Sequence, residues 1–425
     1  MSDLNAKLAE CNREIALNPN NASAYAKRGN VYLDMNDLDS ALVDCNKSIT
    51  LDPNNADYYN DRGWIYWRTR QSDNAISDYS RAISLNPQKA NYFNNRGRVY
   101  LRVEKFDAAI DDFTKGISID PNNGDCYRNR GLAYSMSEQH ELSFSDFDKA
   151  IALNPDNADY YSGRGTEYYH LQKYDMALAD CNKAIALEPD NSIYYMERGN
   201  VFKEMQKYDE AIADYNKGIE LDPNDAGYYS IRGVVYLCQV EDYNAAIKDF
   251  SKIIAIDENN VDAFIGLADA HRHLAEADTL RHLLPRFNEH YKEALSNYKK
   301  ACLLDPRNVY ANYRCGRSYL CIGEYKLARS YLNKALDLDP ANEPAKSSLM
   351  AVEGNEQIEQ VYAELLNSSN AEEQFQMALM LSNADAEGVY DNFGKALKLL
   401  IRAIELGYQP AIELERTMKQ KAGEI

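Results

Sequence analysis

Four of the six histidines, His271, His273, His282 and His290, stand close together in the chain and are the first place to look for metal ligation or proton transfer. His271 and His273 are two apart, which puts them on different faces of a helix. Asp269 and His273 share a face, but one such pair is not a ligand set. No phosphate-cradling GxxxxGK[ST] loop, GxSxG elbow, HExxH pair or GxGxxG turn is present. Asp plus Glu number 66 against 47 Lys plus Arg, for a net charge of −19, so neighbouring carboxylates occur everywhere and single out no acid–base couple. The eight cysteines form no CxxC pair. Cys11, Cys45 and Cys181 share one recurring position, where Tyr79, Phe113 and Tyr215 stand elsewhere. The expectation is buried, reduced thiols in a cytoplasmic protein. Neither catalysis, a cofactor nor a metal is expected.

The elements that position these residues follow from a spacing of 34. Proline stands at Pro19, Pro53, Pro87, Pro121, Pro155, Pro189 and Pro223, and returns at Pro306 and Pro340. Counting from each proline, an aromatic lies six on (Tyr25 to Tyr229), a glycine ten on (Gly29 to Gly233) and a second aromatic thirteen on (Tyr32 to Tyr236). A small residue follows twenty-two on, from Ala41 to Ala211, and the seventh repeat reaches Ala246 after one inserted residue. These spacings predict two amphipathic helices per repeat, with N-caps at Asn21, Asn55, Asn123, Asn157, Asn191 and Asp225 and an exception at Lys89. A fixed period of this length implies an all-α fold, an array of stacked helical hairpins. The glycine inside the first helix is expected to permit close approach to the second, facing its alanine.

A second register runs through the first seven repeats. Arg28, Arg62, Arg96, Arg130, Arg164, Arg198 and Arg232 precede the glycines, and Asp44, Asp78, Asp112, Asp146, Asp180, Asp214 and Asp249 recur on the second helix. In repeat eight Leu267 and Asn297 replace the two, and in repeat nine Cys315 and Tyr331 do. Joint disappearance within one chain predicts a ladder of ion pairs between helices. The competing expectation is two independent solvated stripes.

The combined register resembles the tetratricopeptide repeat over roughly residues 19–342, with arginine where that family usually has an apolar residue. The resemblance implies a right-handed superhelical α-α solenoid of stacked helical hairpins, a noncatalytic scaffold or adaptor whose first helices line a concave, partner-binding groove. Its usual contact positions fall here on Asn60, Trp64, Trp67, Arg68, Asn94, Asn95, Arg98, Arg102, Arg128 and Asn129. Both tryptophans of the chain lie in this set, with four arginines, in a protein of net charge −19. Trp and Arg often dominate binding energy, Arg takes carboxylates as bidentate partners, and Asn can pair with a peptide backbone. The expected partner is therefore an extended protein segment or peptide with an apolar or aromatic anchor and acidic groups. The competing expectation has the tryptophans packing on a neighbouring helix and the arginines pairing with Asp57 and Asp125. Chaperone-tail binding is disfavoured, because Ala26 and Met196 stand where that clamp needs lysine. A structural array that self-associates through its ends or flank is the alternative function. A monomer is the expected state.

Acidity argues against nucleic-acid partners and anionic membrane surfaces. No apolar run has transmembrane length, and the N-terminus lacks a signal-type apolar core. The expected divisions are residues 1–18, a half-repeat helix covering the first repeat through Leu8, Cys11, Ile15 and Leu17, and residues 19–342, an array of about nine repeats. An elaborated hairpin insertion is expected near 275–290, around Pro285. Residues 343–369 read as two connecting helices broken near Gly354, and 370–425 as a Sel1-like repeat with a capping helix. That last resemblance rests on Ala371, Gln374, Leu379, Gly388, Val389, Lys395, Ala396, Leu397, Ala403, Gly407 and Ala411. Arrays of this type are common in bacterial cytoplasm, which is where this one is expected.

Overall fold

The computed structural model describes residues 2–279, 289–383 and 392–422; the expectations for His282, Pro285, Gly388 and Val389 lie outside them. Among the described residues the chain forms twenty-three α-helices, one π-helical turn and no strand. Consecutive helices pair as hairpins, and hairpins stack, as the 34-residue period requires. The chain divides into two units, Met1–Leu221 and Asp222–Ile425.

Each hairpin is built from the same local parts. Asn21, Asn55, Asn123, Asn157, Asn191 and Asp225 accept a backbone N–H at the start of their helices, and Lys89 does not. The hydroxyls of Tyr59, Tyr161, Tyr195 and Tyr229 donate to the carbonyl of their own repeat's proline at 3.0–3.2 Å, which fixes the entry loop. Between the two helices one residue adopts the left-handed conformation at a constant place: Asn36, Arg70, Glu104, Glu138, Gln172 and Gln206, with φ of 58–61°. Repeat nine uses Gly323 there. The in-helix glycine allows close approach, but chiefly to a ring: a Cβ on Gly97 would lie 2.6 Å from Phe113.

The arginine–aspartate ladder is present in all seven repeats. Each guanidinium is bidentate, with Arg130 giving Nε to Asp146 Oδ2 at 2.7 Å and Nη2 to Oδ1 at 2.8 Å. The same pairing joins Arg28–Asp44, Arg62–Asp78, Arg96–Asp112, Arg164–Asp180, Arg198–Asp214 and Arg232–Asp249. The seven aspartates are buried. The third nitrogen reaches the preceding repeat, as in Arg62 to Asn46, Arg96 to Ser80, Arg130 to Thr114 and Arg198 to Asn182. Both aromatics of the repeat flank the same group; Arg130 lies 5.7 Å from the ring centres of Tyr127 and of Tyr134. The hydrogen bonds that Arg62, Arg130 and Arg198 donate to their aspartates hold these arginines above their ordinary pKa, against the opposing effect of burial.

The residue inserted in repeat seven is absorbed by the π-helical turn Tyr236–Val240, after which Glu241 takes the left-handed position. Arg232 and Asp249 are consequently seventeen apart instead of sixteen, yet remain paired. In repeat eight the helices lengthen to Val261–Thr279 and Glu289–Leu304, and an apolar cluster of Phe264, Ala268, Ala294 and Tyr298 carries the packing.

Two expectations change. Residues 343–366 form one helix, Glu343–Leu366, running straight through Gly354. Glycine costs a helix only about 1 kcal/mol, and burial of Ala345, Ser348 and Val352 on its inner face outweighs that. In the first helix Cys11 is buried as expected, but Leu17 is 81% exposed and covers nothing. The C-terminal helices Ala371–Asn383 and Asn392–Glu405 pack together, with buried Gln374 donating to the carbonyls of Leu365 and Ser368.

Removing Arg130 leaves Asp146 buried without its counter-charge. Arg130→Ala is expected to lower stability in urea by about 3–5 kcal/mol, whereas Arg130→Met with Asp146→Leu recovers most of the loss. Gln172→Gly relieves a left-handed non-glycine residue and is expected to raise stability by about 1 kcal/mol, read as a higher Tm.

Candidate functional site

The first helices of repeats two to six (Ala56–Arg68, Ala90–Arg102, Gly124–Met136, Ala158–His170 and Ser192–Glu204) carry the candidate residues. Trp64 and Trp67 stack on each other with ring centres 4.7 Å apart. Trp67 also packs against the core of Ala75, Tyr79 and Val99. The Arg98 guanidinium lies over both indoles, 5.3 Å from Trp64 and 4.7 Å from Trp67. Arg102 lies 4.2 Å above Trp67 and donates to its backbone carbonyl.

These cations have no carboxylate. Asp57 is taken by Lys89 and the Tyr92 hydroxyl, and Asp125 by the Tyr160 hydroxyl. Among the described residues Arg98 makes neither an ion pair nor a side-chain hydrogen bond. Burial, together with the nearby charges of Arg128 and Arg102, lowers its pKa against the opposing effects of Tyr79 and Asp125. Arg128 gives one nitrogen to Asn129, while its buried Nε has no partner. Arg68 instead bonds Asn36 at 2.7 Å.

The asparagines are spent on lateral bonds 35 residues apart. Asn95 donates to Asn60, and buried Asn129 donates to buried Asn94, each at 2.9 Å. Ser162 donates to Glu197 Oε1 at 2.9 Å in the same register. Between them the register breaks, because Gly163 stands where a partner for Arg128 would lie. Tyr92, Tyr160 and Tyr194 form a parallel series, donating to Asp57, Asp125 and Asp159 of the preceding repeat. Sequence reasoning missed Ser162, Glu197 and these tyrosines. Their signal is a pair of unlike residues at adjacent offsets, which a search for one residue type per position does not detect.

Glu197 is the outlier of the set. Burial raises its pKa to about 7, against the lowering effects of Ser162 and Arg128, and its Oε2 has no partner. It lines a cavity of about 250 Å³ with Thr166, Tyr169, His170 and Asn200. No group of acidic, histidine or cysteine side chains among the described residues could hold a metal. His271 instead contacts His290 across 3.0 Å, and His273 stacks on Tyr243.

Family models described as tetratricopeptide repeat or TPR repeat match residues 22–55, 56–89, 90–123, 158–191, 199–240 and 286–343, together more than half of the chain. The chain belongs to the tetratricopeptide repeat family. Membership of this family supports a noncatalytic protein-interaction scaffold. A search of curated proteins finds no match. Solved structures similar to this tetratricopeptide repeat chain include a repeat protein from Parabacteroides merdae, 23% identical with a TM-score of 0.48, covering 59% of this chain and 98% of that one. MamA is 27% identical with a TM-score of 0.34, covering 36% and 90%. YrrB, titled a TPR protein with an unusual peptide-binding site, is 21% identical with a TM-score of 0.35, covering 43% and 95%. No helix among the described residues is long and apolar enough to cross a membrane.

Two comparisons separate structural from functional charges. Arg98→Leu is expected to leave stability within about 1 kcal/mol of wild type, because only stacking is lost, whereas Arg96→Leu two residues earlier loses about 3–5 kcal/mol. For Glu197 the folded carboxyl holds its proton more tightly than the unfolded one, so stability falls as pH rises from about 4.5 through 7. Glu197→Gln is therefore expected to be more stable than wild type by about 1–3 kcal/mol at pH 8, a gap that closes by pH 4.5 in urea titrations.

Proposed function

We propose that the inner face of repeats two to four binds an extended segment of a partner protein, with an aromatic or apolar anchor at Trp64 and an acidic group at Arg98, Arg102 and Arg128. The observation that carries this reading is the set of arginines stacked on indoles without a carboxylate, in a chain of net charge −19. Desolvated like charges repel one another, and an incoming carboxylate relieves that repulsion while forming charge-assisted hydrogen bonds. Asn60, Asn94, Asn95 and Asn129 hold the repeats together here; Asn94 and Asn129 are buried, and half-buried Asn60 and Asn95 are the two that can pair with a peptide backbone. The protein acts as a monomeric adaptor; its eight free cysteines fit a reducing, cytoplasmic setting. Residues 19–342 constitute the array, residues 1–18 its leading half-repeat and 343–369 its connection to a Sel1-like repeat at 370–425, where Gln374, Ala396, Ala403 and Ala411 are buried as that reading requires.

Both tryptophans of the chain lie in the site, so intrinsic fluorescence reports on it directly. Synthetic peptides with a Phe-Glu-Glu cluster are expected to shift the emission and to bind about tenfold or more tightly than the Phe-Gln-Gln analogue, with affinity falling as salt rises. Arg98→Leu is expected to abolish the preference for acid. Equal binding of both peptides by wild type, or an undiminished preference in Trp64→Ala, Arg98→Leu, removes the assignment.

A further inference from the structure

Beside the cavity Glu197 carries a charge of the opposite sign, which Arg128 favours without forming an ion pair with it. Glu197 makes no ion pair among the described residues; Ser162 occupies Oε1 and nothing meets buried Oε2. Thr166 contributes a hydroxyl to the wall, and Asn200 an amide whose Oδ1 accepts one bond, from the Tyr215 hydroxyl at 2.9 Å. The Tyr169 ring forms another side, edge-on to His170. Gly165, Cys181 and Val201 complete an apolar lining.

This donor set is specific in its chemistry. A primary ammonium has three N–H donors and no acceptor, and the residues lining the cavity carry a carboxyl on Glu197, a hydroxyl on Thr166 and an amide oxygen on Asn200. The aromatic face of Tyr169 adds a cation–π contact, and the apolar lining suits a methylene stem. A guanidinium fits less well, because its fork needs both carboxylate oxygens and one is already engaged by Ser162.

We propose that the cavity formed by Glu197, Thr166, Asn200 and Tyr169 receives the ammonium group of a lysine side chain in the partner segment. This rests on the groove reading above, since the cavity lies on the first helices of repeats five and six, beyond the arginines of repeats three and four on the same face. The partner is then charge-asymmetric: acidic beside its aromatic anchor and basic farther along. The carboxyl is retained in a buried position where it destabilises the ionised fold, and an arriving ammonium supplies the missing counter-charge.

The probe is a synthetic peptide series carrying Phe-Glu-Glu, a Gly-Ser spacer of varied length, and either lysine or norleucine, made in both chain directions and titrated by tryptophan fluorescence. Wild type is expected to prefer lysine over norleucine about tenfold at one spacing, with arginine close to norleucine. Glu197→Gln is expected to bind the two alike while keeping its preference for Glu-Glu over Gln-Gln; Arg98→Leu is expected to do the reverse. If wild type shows no lysine preference at any spacing but still prefers the acidic cluster, the ammonium site is overturned and the groove reading stands. An undiminished lysine preference in Glu197→Gln also overturns it. Loss of both preferences in wild type overturns both.

Discussion

The bidentate arginine–aspartate pair within each repeat is the contact on which the first seven hairpins depend. It joins the two helices of a hairpin, and its third nitrogen reaches the preceding repeat in the first unit. One side chain thus sets both the packing within a repeat and the spacing between repeats. A buried ion pair is weak evidence for net stability, since apolar residues of equal volume often do as well. Its directional fork is better suited to fixing register, and the seventh repeat displays that use. There a π-helical turn absorbs an extra residue while the pair is preserved. Where the pair is absent, in repeat eight, the helices lengthen and apolar side chains take over the packing.

That constraint divides the arginines into two populations with the same chemistry and different surroundings. Arg96 lies against Asp112, bonded on three nitrogens and flanked by Phe93 and Tyr100. Arg98, two residues on and on a different face of the same helix, lies against two indoles with other arginines near. The first has no capacity left for a ligand. The second has its full set of donors and a partly desolvated charge, which is the condition under which a bidentate acid contributes most.

The periodic parts of the structure were legible in the sequence, because one residue type recurs at one offset. The hairpins, the N-caps and the joint loss of Arg and Asp after repeat seven all have that character. What repeats as geometry without repeating as residue type was not legible. In the first seven repeats the left-handed turn position is Asn, Arg, Glu or Gln, so no glycine marks it there. The lateral bonds join Asn to Asn in one place and Ser to Glu in another. The helix through Gly354 was misread because a local propensity of about 1 kcal/mol was given more weight than tertiary packing. In the candidate site, the tryptophans and arginines were found through the register, and the structure bears on their packing alone. Trp67 does pack into a core, and Arg98 forms no ion pair among the described residues, although the charge of Asp125 acts on it.

The lateral series also explains why the exceptions to it are informative. Where Asn meets Asn, each amide satisfies the other and the interface is neutral. At Arg128 the opposing residue is Gly163, which leaves a cationic nitrogen buried and unpaired. At Glu197 the opposing residue is Ser162, which satisfies one oxygen and leaves the other. Neither substitution helps the fold, since an amide in either place would complete the series without desolvating a charge. The two departures are of opposite sign, and Arg128 favours the ionised form of Glu197, so each charge partly offsets the other although no ion pair joins them.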